Sequence, residues 1–266
     1  MRLRVLSVLA VAGLALTACG SSSDDAPADG TGASSSGGGL TGSLTVFAAA
    51  SLTDVFGQLG DELEADNPGL DVVFNFAGSS ALATQLTQGA PADVFASANG
   101  TQMTVVTDAD LQAGDPQPFA SNVLEIAVPP GNPGNVTGLA DFADPDLTLA
   151  VCAAEVPCGA AAQQVFAAAG ITAVPDTEEE DVRAALTKVE QDEVDAALVY
   201  ATDVRSAGEG VEGIEFPEAD EAVATYPICA LAAAPNPDAA QAFVALVLSD
   251  TGQQALQAAG FRSAGS

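Results

Sequence analysis

The sequence contains no histidine and no tryptophan, and it sets only six Lys and Arg against 36 Asp and Glu in 266 residues, a formal net charge of −30. Without histidine there is no Ser-His-Asp or Cys-His catalysis, no His-ligated zinc and no imidazole acid-base chemistry. The shortage of cations excludes a nucleic-acid partner, because affinity for phosphates rests on Lys and Arg. Apolar residues are plentiful at 48%, enough for a sizeable core and too many for wholesale disorder. The length suits one large domain or two medium ones.

The first residues, MRLRVLSVLAVAGLALTAC, combine Arg2 and Arg4 with an apolar run over 5–16. These are the proportions of a secretory signal, and the run is too short for a membrane span. Leu16-Thr17-Ala18-Cys19 resembles a bacterial lipobox, in which small residues precede a Cys that is lipidated and becomes the new N-terminus. Residues 20–39, GSSSDDAPADGTGASSSGGG, hold nothing that could build a core and read as a flexible tether. The expectation is a signal peptide over 1–18 and a lipidated Cys19 with its tether over 19–39. The mature chain then keeps only Arg183, Lys188, Arg205 and Arg262 as cations.

With Cys19 lipidated, Cys152, Cys158 and Cys229 remain, and export implies an oxidising space. Cys152 and Cys158 bracket the turn AAEVP, which reads as a possible local disulfide with Cys229 left as a buried free thiol. Three scattered Cys without His make a poor metal site.

From residue 40 onward, short apolar runs alternate with helical patterns. Strands are expected over 44–47, 72–76 and 93–96, with helices over 51–64 and 79–88 between them. A second set has strands over 123–128, 147–151 and 196–200, and helices over 158–169 and 180–192. One more strand over 226–232 and closing helices over 237–260 follow. This order points to an α/β protein with parallel sheets and helices on their faces, in two lobes. The run Glu178-Glu179-Glu180-Asp181 reads as a solvated acidic start to a helix rather than as a catalytic carboxylate pair.

Ligands of parallel α/β folds sit beyond the carboxyl ends of strands, at the helix N-termini that follow. The junctions here are rich in small residues: FAAASL at 47–52, FAGSSA at 76–81 and EVPCG at 155–159. Serine at one helix start is most simply an N-cap. Several such starts facing one cleft would instead form an anion site without a cationic side chain.

These stretches carry a resemblance. LTVFAAASL at 44–52, FAGSSALA at 76–83 and GAPADVF at 89–95 resemble the periplasmic molybdate-binding proteins of ABC importers. VPCG at 156–159, EDVR at 180–183, Val199-Tyr200 and Tyr226-Pro227 follow in the same order, so the resemblance covers roughly residues 40–261. It implies a two-lobed periplasmic-binding-protein fold of the type II kind, with two crossover strands and the ligand in the interlobe cleft. Lobe I would span 40–123 plus 229–266 and lobe II 124–228, with crossovers at 123–128 and 226–232. It implies an oxyanion held by Ser51 and Ser79 through hydroxyls and amides, by the amides of Cys158 and Val182, and by the Tyr200 hydroxyl. Where this chain has Cys158 the family more often has Ala, a change that keeps the amide donor.

The implied function is a solute receptor, not an enzyme, anchored by lipid on the extracytoplasmic face of the cell membrane. It would capture molybdate, with tungstate as a further ligand, and deliver it to an ABC permease. It would be monomeric, need no cofactor, and hold the metal only as an oxyanion, never as a bare cation. The alternatives are a receptor for another tetrahedral oxyanion, sulfate above all, an exported enzyme, and a structural surface lipoprotein.

Overall fold

The computed structural model describes residues 39–265. Cys19, the leader and nearly all of the tether lie outside the described residues. In chain order the elements are β1 (Thr41–Ala49), α1 (Thr53–Asp66), β2 (Gly69–Ala77), α2 (Ser79–Thr87), β3 (Val94–Ala96), α3 (Gly100–Asp108), β4 (Gln117–Asn122), β5 (Leu124–Val128), β6 (Leu149–Cys152), α4 (Pro157–Ala169), β7 (Thr177–Glu179), α5 (Val182–Glu190), β8 (Ala196–Tyr200), α6 (Ala201–Ala207), β9 (Glu212–Ile214), β10 (Ala224–Ala230), α7 (Pro237–Leu248) and α8 (Asp250–Ala258).

These strands form two five-stranded sheets with the same plan, β2-β1-β3-β10-β4 and β7-β6-β8-β5-β9. In the first, β1 runs parallel to β2 and β3, while β10 is antiparallel to β3 and β4. In the second, β6 runs parallel to β7 and β8, and β5 is antiparallel to β8 and β9. Both sheets are therefore mixed, which departs from the purely parallel sheets expected. The reason is the crossing chain. A strand that enters a lobe from its neighbour arrives from the opposite end and can pair only antiparallel, and apolar patterning does not encode direction.

The chain crosses once between β4 and β5 at Val123 and returns between β9 and β10 through a 3-10 segment, Pro217–Ala222. The return strand starts at Ala224 rather than at residue 226 and pairs wholly within the first sheet, so its first residues lie with the first lobe. The acidic run also divides. Glu178 and Glu179 lie in the edge strand β7, and only Asp181 caps a helix.

Sequence pattern accounts for the helices that flank the cleft. In α1, Val55, Leu59 and Leu63 form a buried stripe together with Phe56, the four-residue spacing that keeps one face inward. Phe56 packs edge-on against Phe243 of α7 at 5.3 Å between centroids, so the C-terminal helices close the first lobe. In α5, Val182, Ala185, Leu186 and Val189 are buried. The strand cores are dense, with Leu44, Val46, Ala48, Val94 and Ala96 fully inaccessible in the first sheet. Such two-sided burial suits strands with helices on both faces and fixes the strand ends from which the cleft is built.

Candidate functional site

Ser51, Ser79, Cys158, Val182 and Tyr200 all line one small cavity between the lobes. The first two follow β1 and β2 of one sheet; the other three follow or end β6, β7 and β8 of the other. All five are buried. The empty space there amounts to about 210 Å³ and is partly open to solvent. So small a space suits a compact ion rather than a sugar or a peptide.

Each helix start leaves amides without an intrahelical partner. Ser79 is the first residue of α2, behind the N-cap Gly78. Cys158 is the second residue of α4, where Pro157 occupies the first position and has no N–H to offer. At α5 the cap itself selects the free donor. The Asp181 carboxylate accepts from the amides of Arg183 at 2.8 Å and Ala184 at 2.9 Å. The amide of Val182, between cap and capped residues, is left without a partner in its helix. Ser51 sits in a 3-10 turn, Ala50–Leu52, ahead of α1 rather than in the α-helix itself.

The hydroxyls are held in distinct ways. Ser79 Oγ accepts from the Ala98 amide at 3.0 Å, so its own hydrogen is free to donate. Ser51 Oγ and Tyr226 Oη are 2.9 Å apart. Tyr200 Oη is buried without a hydrogen-bond partner of regular geometry, although Tyr226 lies near enough to influence its ionisation. Burial, with Tyr226 and Asp203 adding to it, pushes the Tyr200 hydroxyl well above the usual phenol range. It therefore keeps its proton and can serve as a donor. These hydroxyls and helix-start amides thus meet at one cavity, among small apolar residues and beside the Asp181 cap, whose carboxylate is engaged by the Arg183 and Ala184 amides; no cationic side chain lies in the wall.

The disulfide links Cys152, at the end of β6, to Cys158, with Cα atoms 5.7 Å apart. It ties the loop that delivers the Cys158 amide to the strand behind it. Cys229 is free and buried, and burial pushes its thiol up to about 12. Among the described residues no cluster of acidic or Cys side chains could hold a metal cation.

Several residues around the cavity have roles that the sequence did not announce. Tyr226 supports Ser51 from β10, 175 positions away. Asp203, inaccessible to solvent, accepts from the Tyr200 amide at 3.2 Å and holds the strand end that carries Tyr200. Its place, three residues after Tyr200 in the first turn of α6, lets its carboxylate reach back to the N-cap amide, the acidic half of a capping box and a local feature of the sequence. Arg183 pairs with both Asp203 and Asp54, and no local pattern points to those partners. A wider cavity, about 970 Å³ on the same measure, lies at the crossover. Glu125, Glu215 and Asp220 line it beside Arg262, an acidic wall unsuited to an anion.

Residues 44–262 match the family model described as bacterial extracellular solute-binding protein. The chain is 44% identical over 259 residues to the molybdate-binding protein ModA of Mycobacterium tuberculosis, covering 97% of this chain and 95% of that protein. It is 32% identical to the molybdate-binding protein ModA of Haemophilus influenzae, over 82% of this chain and 89% of that one. Among solved structures, the Azotobacter vinelandii periplasmic molybdate-binding protein aligns with a TM-score of 0.71 at 19% identity, over 82% of this chain and 98% of that one. At that identity the last match speaks for the two-lobed fold alone.

Proposed function

The chain belongs to the bacterial extracellular solute-binding protein family, and on that premise we propose that it is the molybdate-binding receptor of an ABC importer. The observation that carries this reading is the small cavity between the two lobes on which these hydroxyls and helix-start amides converge. A tetrahedral dianion needs many donors and no acceptor, which the Ser51 and Ser79 hydroxyls and amides, the Cys158 and Val182 amides and the Tyr200 hydroxyl can supply. A hydrogen bond to a charged group contributes roughly 1.5–3 kcal/mol net. Five to seven of them, less the association terms, go beyond about −8.2 kcal/mol, the value for 1 μM, and so reach sub-micromolar affinity. The −30 charge opposes capture, but exposed charges are screened beyond about 10 Å, so the local dipoles prevail.

Tungstate, with the same charge and shape, is a second ligand on this reading. The protein acts as a monomeric carrier without catalysis and without a cofactor. Cys19 anchors it by lipid to the outer face of the cytoplasmic membrane, where the tether lets it reach the permease. Calorimetric titration with molybdate, tungstate, sulfate and phosphate tests the ligand. Sub-micromolar molybdate and tungstate with weak sulfate is expected, and equal or tighter sulfate would overturn the assignment. For the anchor, Cys19→Ser should move the protein from the membrane fraction to the soluble one or leave an uncleaved precursor.

A further inference from the structure

Arg183 is the residue next to Val182, yet its side chain turns away from the cavity and joins three segments. Its Nη2 lies 2.5 Å from Asp54 Oδ2, in the first turn of α1 and three residues beyond Ser51. Its Nε lies 3.0 Å from Asp203 Oδ1, and Asp203 holds the Tyr200 amide through its other oxygen. Its Nη1 donates to Ser206 Oγ at 2.9 Å. One guanidinium thus connects the stretches that carry Ser51, Val182 and Tyr200. Asp54 is on the first lobe; Arg183 and Asp203 are on the second. Hydrogen bonds from Arg183 and Ser206 outweigh the effect of burial and hold the Asp54 carboxyl below its usual range.

We propose that Arg183 is a positioning residue whose ion pair with Asp54 clamps the two lobes over the cavity and sets how long a bound oxyanion is retained. The ligand part rests on the function proposed above. The partners stand on different lobes, so opening the cleft separates them. An oxyanion arriving at the open cleft meets no such pair, whereas one leaving must first break it. The clamp therefore acts on the dissociation rate and leaves the association rate nearly untouched. Asp203, inaccessible to solvent, holds the other side of the guanidinium and orients it toward Asp54. Gln102 Nε2 donates across the cleft to the Glu155 carbonyl at 3.2 Å, a weaker uncharged tie elsewhere on the seam.

Asp54→Ala tests the clamp with an opposed expectation built in. Asp54 is an anionic side chain close to an anion site, so simple charge repulsion predicts that its removal tightens oxyanion binding. The clamp predicts the reverse. By stopped flow with molybdate, Asp54→Ala should raise the dissociation rate about three- to tenfold and change the association rate less than twofold. The rise in wild-type dissociation on going from low to high salt should also disappear. Asp54→Asn, which keeps the side-chain shape, should behave the same. A dissociation rate within twofold of wild type, or slower, would overturn the clamp. Wild-type titration separately decides the ligand. If wild type binds no molybdate, tungstate or sulfate, the ligand reading fails and the retention role fails with it; if wild type binds and Asp54→Ala releases no faster, the clamp alone is overturned.

Discussion

Tyr200→Phe and Ser79→Ala remove one hydroxyl each from the same cavity, and the structure predicts that they differ in one property and agree in another. Each variant deletes one donor to a dianion, so each should lose roughly 1.5–3 kcal/mol of binding, about ten- to a hundredfold in affinity. Their effects on the ligand-free fold should diverge. Ser79 Oγ is the acceptor for the buried Ala98 amide. Ser79→Ala leaves that N–H without a partner, which costs roughly 1–3 kcal/mol of stability. Tyr200 Oη has no regular partner within the protein, and the phenyl ring of Phe keeps the edge-on contact with Tyr226, whose centroid is 6.1 Å away. Tyr200→Phe should therefore leave the apo protein unchanged or stabilise it by up to about 1 kcal/mol. Calorimetry gives the first quantity, and urea unfolding of the ligand-free protein gives the second. If both variants bind molybdate like wild type, the hydroxyl assignment is wrong. If Tyr200→Phe destabilises the apo fold as much as Ser79→Ala does, the account of which hydroxyl supports the protein and which awaits a ligand is wrong.

Gly78→Ala addresses closure from the backbone side. Gly78 has an ordinary φ of −57°, so its conformation does not require glycine, but a Cβ there would lie 2.4 Å from the Glu180 carbonyl oxygen across the cleft. The variant should melt at the wild-type temperature when ligand-free and bind molybdate at least tenfold more weakly. Unaltered affinity would show that the lobes do not seat on this glycine. Asp203 gives a pH signature. Burial pushes its carboxyl up to about 7, with Arg183 pulling the other way. Its folded value thus exceeds its unfolded one, so the native state binds the extra proton, and stability falls as pH rises from about 4 through about 7. The slope approaches about 1.4 kcal/mol per pH unit in that window. Wild type minus Asp203→Asn in urea midpoints between pH 4.5 and 7.5 should recover this slope, and parallel curves would contradict it. For the thiols, freshly isolated protein unfolded without reductant should label at Cys229 but not at Cys152 or Cys158. Labelling at all three positions would argue against the bridge.

What the chain alone makes legible is whatever lies within a turn or two of itself. The missing histidines and scarce cations are enough by themselves to remove whole classes of chemistry. Small residues at the starts of α2 and α4 mark amides that a ligand could approach. The stripe of Val55, Leu59 and Leu63 marks the buried face of α1. Capping and helical periodicity are short-range effects, which is why they survive in one dimension. The direction of β10 and β5, the Tyr226 support beneath Ser51, the seat of Gly78 against Glu180 and the Asp54–Arg183 pair are decided only in three dimensions. Asp54 and Arg183 are 129 positions apart. Either one alone is an ordinary charged residue near a helix start, and their meeting depends on how the two lobes close. Sequence periodicity fixes which face of an element is buried. The relative placement of two lobes comes from the crossovers and the cleft contacts, which leave no periodic trace in the chain.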